Sequence, residues 1–391
     1  MVKREIEPNI KELSKYFQVI SLTGPRQSGK TTLLRSMFSN LPYVSLEDPD
    51  TRTIATDDPR KFLNNYPNGL IIDEIQRGPE LFSYIQGFVD NDKKLKYYIS
   101  GSQNFLLSEK ISQSLAGRVG ILKLLPFSIA EIQSISKLKD IHHTELLYKG
   151  FYPAIYDKKT PPSIFYSNYV ETYLEKDVRI ITNIENLNTF HRFLKLCAGR
   201  AGQLVNMSSL ANDAGISVNT VKSWLSVLEA SYIIFLLQPY HKSFDKRLVK
   251  SPKLYFNDTG LLSYLLGIKN NAELYNHYST GAIFENFILA ELYKHKFNNN
   301  LSFDMYFWCD HKGKEIDCII DNGSKTIAIE IKSGETQNTS YFTNFEYWKN
   351  LSNKTEHFYV IYGGEKSLET KYGTLLSWRN INKLLDSELS S

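Results

Sequence analysis

The sequence predicts an α/β protein: a parallel sheet in its first third, a helical middle, and a smaller α/β region at its end. Three observations predict this. Apolar runs alternate with helix-spaced segments from residue 18 to residue 125, the pattern of strands joined by crossover helices. A glycine-containing turn, residues 24–31, separates the first apolar run from the first helix-spaced segment. Strand-like runs then return from Leu301 onward.

Each element follows from local text. Gln18–Thr23 is a short apolar strand, and Lys30–Phe38 has helical spacing through Leu33, Leu34 and Met37. Tyr43–Leu46, Leu70–Ile72, Lys96–Ser100 and Ile121–Leu125 read as further strands, and Pro79–Asp90 as a helix between two of them. Past Pro126 the character changes. Residues 128–182 are mostly helical, with breaks at Gly150–Pro153 and Pro161-Pro162. Phe190–Tyr232 holds three short amphipathic helices, Ile233–Phe256 is strand-like with a basic turn, and Tyr278–Phe297 is a helix. The expected modules are residues 1–127, 128–188, 189–256 and 257–391.

Composition excludes several classes. Hydrophobic residues at 42% and charged residues at 23% describe a globular chain rather than a disordered one. A net charge of +4 decides little, although it permits a local basic face to meet nucleic acid. Cys197, Cys309 and Cys318 lack CxxC spacing, which argues against a disulfide framework or a thiolate zinc site and fits a reducing compartment. His142-His143 and His311 lack partners at ligand spacing, so no zinc site is expected. The charged start MVKREIEPNIKELSK has no apolar signal stretch. Apolar runs such as Tyr232–Leu237 fall far short of the roughly 20 residues that span a bilayer. The expectation is a soluble, cytoplasmic protein with no membrane partner.

Gly24-Pro25-Arg26-Gln27-Ser28-Gly29-Lys30-Thr31 matches GxxxxGK[ST], after an apolar strand and opening a helix, with Thr32 next. Gly24 and Gly29 permit backbone conformations that aim successive N–H groups at phosphate oxygens, and the helix start offers its positive dipole end. Lys30 is placed to reach the β- and γ-phosphates of ATP, and the Thr31 hydroxyl to ligate Mg²⁺. Such a loop needs an acidic strand, and Gly69–Glu74 supplies one. Asp73 would hold Mg²⁺ through water, while Glu74 would polarise the attacking water. Ser102 or Gln103, ending the fourth strand, could bond the γ-phosphate or that water. Arg118 is a candidate arginine finger, for its own nucleotide or a neighbour's, or a surface ion pair.

GPRQSGKTTLL, LIIDEIQRGPELF, YYISGSQNFLL, SLAGRVGILKLLPFS, GFYPAIY, YVETYLEKDV and SPKLYFNDTGLLSYLL carry a match that runs from about residue 4 to 370. With these motifs the chain resembles the prokaryotic AAA+-type ATPases of the archaeal-ATPase-like superfamily that carry a conserved tail domain of uncharacterised function. The resemblance implies a P-loop ATPase core followed by a helical lid, with ATP and Mg²⁺ as ligands. A finger acting between subunits would require a homo-oligomer.

The middle reads as a winged helix-turn-helix. Ser208–Ala214 makes the first helix, Gly215-Ile216-Ser217 the turn, and Val218–Ser231 the second helix, with Ser217 as its cap. Val221, Trp224, Leu225 and Leu228 form the buried face, which leaves Asn219, Lys222 and Ser223 exposed to a DNA groove. Ile233–Leu237 and His241–Lys253 would form the wing. Lys242, Lys246, Arg247, Lys250 and Lys253 there could neutralise phosphates.

The tail resembles the PD-(D/E)xK restriction-endonuclease-like fold. Glu285 lies on a helix, Asp317 on one strand, and Glu330 and Lys332 on the next across the turn Asp321–Ser324. Alternation puts Glu330 and Lys332 on one face. Asp317, Glu330 and Glu285 would share Mg²⁺, with Lys332 orienting water. The combined expectation is an ATP-driven switch or motor on DNA. Its alternatives are an ATP-gated, Mg²⁺-dependent nuclease and an ATP-binding scaffold with little turnover.

Overall fold

The computed structural model describes residues 2–102, 114–135, 141–174, 187–240, 250–310, 312–323, 325–351 and 355–389. The chain divides into two compact units. One is Met1–Phe127 with Ala230–Tyr232 and Phe297–Asn300; the other is Ser128–Glu229 with Ile233–Lys296 and Leu301–Ser391.

In the first unit β1 (Val19–Thr23), β2 (Tyr43–Ser45), β3 (Gly69–Asp73), β4 (Lys96–Gly101) and β5 (Val119–Lys123) form one sheet. Its order is β2-β3-β4-β1-β5 and every pairing is parallel. The helices are α1 (Glu7–Tyr16), α2 (Lys30–Met37), α3 (Pro49–Asp57), α4 (Pro59–Asn64) and α5 (Leu81–Asn91). β1 and β3 are buried along their whole length, as continuous apolar strands are when helices cover both faces. Alternation divides the side chains between two cores. Ile20, Leu22, Ile71 and Tyr98 pack with Ile6, Ile10, Leu33 and Leu34 on one face. Val19, Leu70, Ile72 and Ile99 pack with Phe62, Leu81, Phe82 and Ile85 on the other. β5 begins two residues earlier than its apolar text suggests. It is an edge strand, with Leu122 buried and Ile121 exposed.

The second unit begins with α6 (Ile129–Gln133), α7 (His143–Lys149), α8 (Pro153–Asp157) and α9 (Pro162–Tyr169). Three helices follow: α10 (Leu187–Ala198), α11 (Met207–Ala214) and α12 (Val218–Ala230). Gly215, in the left-handed region at φ 73°, ends α11, and the Ser217 hydroxyl accepts the Thr220 N–H at 3.0 Å to cap α12. Trp224 of α12 meets Phe190 and Phe193 of α10 edge-on, at 5.3 and 5.2 Å between ring centres.

β6 (Ile234–Pro239), β7 (Lys253–Phe256), β8 (Asp304–Cys309), β9 (Glu315–Asp321), β10 (Thr326–Lys332), β11 (Thr355–Tyr362), β12 (Leu368–Thr370) and β13 (Gly373–Ser377) build a mixed sheet. Its order is β12-β13-β11-β10-β9-β8-β6-β7. The hairpin β6–β7 is therefore part of the same sheet as the tail strands, joined where Gln238 and Pro239 pair with Tyr306 and Phe307. A module boundary at residue 256 cuts this sheet, because apolar strand text does not reveal which partner a strand will take. α13 (Thr259–Leu265), α14 (Asn271–Tyr275), α15 (Thr280–Asn298), α16 (Thr343–Leu351) and α17 (Ile381–Leu389) complete the unit. α15 is apolar on nearly every side, with Ile283, Phe284, Phe287, Ile288 and Leu292 fully enclosed. Among the described residues no helix is long and apolar enough to cross a membrane.

Candidate functional site

The carboxyl ends of β1, β3 and β4 meet at one edge of the first sheet, since Thr23 pairs with Gly101 and Ile72 with Ile99. The loop Gly24–Gly29 leaves β1 there and opens α2. Gly24 holds φ +149°, and a side chain at this position would stand 2.1 Å from the Leu124 carbonyl oxygen. Gly29, at φ 94°, precedes α2, and Gln27 is held at φ 60°. Lys30 is buried and donates to the carbonyls of Gly24 and Pro25 at 2.9 and 2.8 Å. The Ser28 side chain is fully enclosed and its hydroxyl has no hydrogen-bond partner. Such an orphan, in a loop that opens a helix and holds its glycines at positive φ, fits a site shaped for an anion. Pro25 is buried, Arg26 half-buried, and Thr32 exposed.

The acidic strand lies two places away, with β4 between. Asp73 accepts from Thr31 Oγ1 at 2.8 Å, Ser100 Oγ at 2.6 Å and Tyr43 OH at 3.2 Å. Three neutral hydroxyls thus hold this carboxylate, and the strand order brings Ser100 to it. Glu74 follows in the left-handed conformation, φ 54° and ψ 42°, an uncommon state for a residue with a side chain and one concentrated at functional sites. Gln76 donates to Glu74 Oε2 at 2.5 Å and Ser102 Oγ lies 3.5 Å away. Burial raises the Glu74 pKa, while Arg26 and Lys30 oppose that rise.

Two residues at this site escaped the sequence reading. Arg4 is buried and donates to the Ser28 and Leu125 carbonyls, each at 2.8 Å, bracing the phosphate loop from below. Tyr232, at φ 58°, places its hydroxyl 2.7 Å from Thr23 Oγ1, immediately before Gly24. Neither belongs to a local motif, so no spacing rule selects them.

Arg118 is not brought to this edge. It precedes β5 at the amino-terminal end of the parallel strands, where Val119 pairs with Val19, and grips Asp90 with two bonds of 2.7 and 3.0 Å. An arginine there has no reach to its own chain's phosphate loop. Gln103 lies outside the described residues.

The chain resembles known families and proteins. The AAA domain family matches residues 16–133. Two families described as Domain of unknown function match the remainder, DUF8612 over residues 141–272 and DUF4143 over residues 280–381. The uncharacterized protein Rv2008c of Mycobacterium tuberculosis is 30% identical over 328 residues, 82% of this chain and 72% of its own length. The chain belongs to the same family as Rv2008c and carries an AAA domain at residues 16–133. The uncharacterized protein MJ1544 of Methanocaldococcus jannaschii is 24% identical, covering 84% of this chain and 76% of its own. Among solved structures, the Walker-type ATPase PABY2304 of Pyrococcus abyssi superposes with a TM-score of 0.47 at 14% identity, over 67% of this chain and 94% of that one.

Beyond the AAA domain, the second unit gathers a buried charge cluster. Glu285 comes from α15, Glu315 and Asp317 from β9, Glu330 and Lys332 from β10, and Lys253 and Tyr255 from β7. Lys332 Nζ lies 2.6 Å from Glu330 and 3.3 Å from Asp317. Asp317 also accepts the Ile331 N–H at 2.7 Å, and Asn344 donates to Glu330 at 3.3 Å. Lys253, which the sequence placed in a surface wing, is 7% exposed along its side chain. It pairs with Glu315 and lies 3.5 Å from Glu285, which Tyr255 reaches at 2.5 Å.

Burial, aided by Asp317, pushes the Glu285 pKa up to about 7 and that of Glu330 up to about 8. For Lys253 burial acts downward, but Glu285 and Glu315 outweigh it and raise the pKa above the ordinary lysine value. The oxygens of Glu285, Asp317 and Glu330 do not all lie within 4.8 Å of one another. Among the described residues, the group of three His, Cys, Asp or Glu whose ligand atoms lie within 4.8 Å of one another is His142, His143 and Glu335. Lysine ammoniums stand against all three carboxylates, Lys332 against Glu330 and Asp317 and Lys253 against Glu285.

On α12 Asn219 and Lys222 are exposed, while Val221, Trp224, Leu225 and Leu228 are buried. Lys250 is exposed; Lys246 and Arg247 lie outside the described residues.

Proposed function

We propose that the AAA domain binds and hydrolyses ATP, and that this turnover drives a switch or motor acting on DNA. The observation that carries the reading is Asp73. One carboxylate joins the Thr31 hydroxyl, at the head of α2, to Ser100 on the intervening strand, with Glu74 next in a strained backbone state. Gly24–Thr31 cradles the triphosphate through backbone amides, and Lys30 leaves its carbonyl partners to meet the β- and γ-phosphates. Thr31 and Asp73 would hold Mg²⁺, which would neutralise charge that develops on the phosphates. Glu74, with Ser102 beside it, orients and polarises the attacking water.

The test is ATP turnover in Glu74→Gln, which should fall by about 10²–10⁴-fold while a fluorescent ATP analogue still binds. Equal, negligible turnover in both proteins would leave an ATP-binding scaffold instead.

We read α10–α12 with the hairpin β6–β7 as a winged helix, and the remaining sheet with α15 as a PD-(D/E)xK-like arrangement. The helical segment after Phe127 is read as the lid. Support for DNA contact is the exposure of Asn219, Lys222 and Lys250. Affinity for a duplex should fall steeply with salt, and replacing Lys246, Arg247 and Lys250 by Glu together should flatten that dependence. Unchanged binding in the triple variant would remove the hairpin segment from the account.

A further inference from the structure

His142 and His143 adjoin at the start of α7, and the fold carries Glu335 to them from the loop after β10. One imidazole nitrogen from each histidine and one Glu335 oxygen lie within 4.8 Å of one another. His142 Nε2 is 2.7 Å from Glu335 Oε1. Its Nδ1 stands 2.7 Å from Thr144 Oγ1 and accepts the Thr144 N–H at 3.3 Å, so the ring is held from behind, with a hydroxyl in place to accept from Nδ1 when Nε2 takes a cation. His143 is 3% exposed, boxed by Phe284 and Trp378, and its Nδ1 is buried with no hydrogen-bond partner. Buried polar atoms without partners are rare in native structures and call for an explanation. A lone pair awaiting a cation is one, because a neutral imidazole is a metal donor at no cost in charge.

We propose that His142, His143 and Glu335 form a binding site for one divalent transition-metal cation of the zinc type, held independently of the nucleotide site. Two imidazoles and a carboxylate form the donor set favoured by Zn²⁺, Co²⁺ and Ni²⁺ over Mg²⁺ or Ca²⁺, which prefer all-oxygen shells. Arg379, the cation beside this set, directs its guanidinium to the Ile141 carbonyl at 2.9 Å and to Glu365 at 3.5 Å. A cation on His142 Nε2 requires the neutral ring to carry its one proton on Nδ1, where the Thr144 hydroxyl accepts it in place of the Thr144 N–H that this nitrogen accepts in the empty site. The site also has a mechanical consequence. Glu335 lies three residues beyond Lys332, and the Gly363 N–H ties this loop through the Lys332 and Gly334 carbonyls at 3.0 and 3.1 Å. A bound cation clamps the loop after β10 to the start of α7, next to the strand that carries Glu330 and Lys332.

The experiment uses the full chain, stripped with a chelator and held in excess Mg²⁺ without nucleotide. Co²⁺ is titrated while visible ligand-field absorption is followed, and Zn²⁺ binding is measured by calorimetry. One equivalent should bind, and His142→Gln and Glu335→Gln should each weaken affinity at least about 10-fold. Both changes lie at partly or fully exposed positions, so circular dichroism should show an intact fold. Zn²⁺ should raise the melting temperature of the natural chain and leave that of His142→Gln unmoved. Thr31→Ala, which removes a hydroxyl at the nucleotide site, should keep the full cobalt signal. The proposal is overturned by the absence of binding, by equal affinity in the natural chain and both variants, or by a signal lost only in Thr31→Ala.

Discussion

Two buried acidic groups in this molecule look alike on paper and differ in what faces them. Asp73 is held by the hydroxyls of Thr31, Ser100 and Tyr43, while Lys30 is turned onto backbone carbonyls. Glu285, Glu315, Asp317 and Glu330 are held by the ammoniums of Lys253 and Lys332. Hydroxyls satisfy a carboxylate's hydrogen bonds without cancelling its charge, so the first site retains its demand for a cation. Ammoniums do both. Buried acids therefore identify a metal site only after their counter-charges are known.

The contrast is sharpest in turnover. Lys30→Ala should cost about 10²–10³-fold in ATP hydrolysis through loss of charge stabilisation, whereas Asp317→Ala should leave turnover within about twofold of the natural chain. Supercoiled DNA incubated with the protein and Mg²⁺ or Mn²⁺ should remain intact, as gel electrophoresis would show. Cleavage that vanishes in Asp317→Ala would break the comparison, because it would mean that these acids bind metal with their lysines in place.

The next largest effect is on stability. Lys253→Met leaves Glu285 and Glu315 without their ammonium in a buried setting, which should lower unfolding free energy by on the order of 3 kcal/mol, measured by urea denaturation. Adding Glu285→Gln to that variant should recover part of the loss, and strict additivity of the two changes would deny the coupling.

A smaller effect follows from pH. Glu285 and Glu330 titrate near 7 and 8 in the fold, above their ordinary value of 4.5. Between about pH 4.5 and 8 the native state therefore binds more protons than the unfolded chain, so stability falls as pH rises through that window and levels off above it. Glu330→Gln should flatten this decline in urea titrations at pH 5 and 8. An unchanged slope would show that the two carboxylates stay ionised.

The first site was legible in sequence to a degree the second was not, and the reason is sequence distance. Gly24–Thr31 and Asp73-Glu74 are local patterns whose roles depend on their own strand and turn, and the parallel sheet places them at one edge. Arg4 and Tyr232 reach the same loop from outside it, Tyr232 from 209 residues away. Helical spacing located α11 and α12 to within a residue or two, because a buried stripe repeats locally. Lys253 shows the opposite case. In a run of cations it reads as solvated, yet it opens a fully buried strand and its ammonium faces acids from α15 and β9. His142 likewise lacked a ligand partner in sequence, because Glu335 stands 193 residues on.

Arg118 carries the smallest expected effect and tests whether the first site is complete within one chain. Its guanidinium is matched to Asp90 at the end of the sheet away from the phosphate loop, and an exposed pair of this kind contributes little. Turnover of dilute Arg118→Ala should therefore stay within about twofold of the natural chain. An arginine finger supplied in trans is worth about 10³–10⁵-fold, so the two outcomes cannot be confused. Turnover per chain that rises with protein concentration in the natural protein, and not in Arg118→Ala, would mean that Asp90 releases the guanidinium to a neighbour. The hydrolytic site would then be complete only in an assembly.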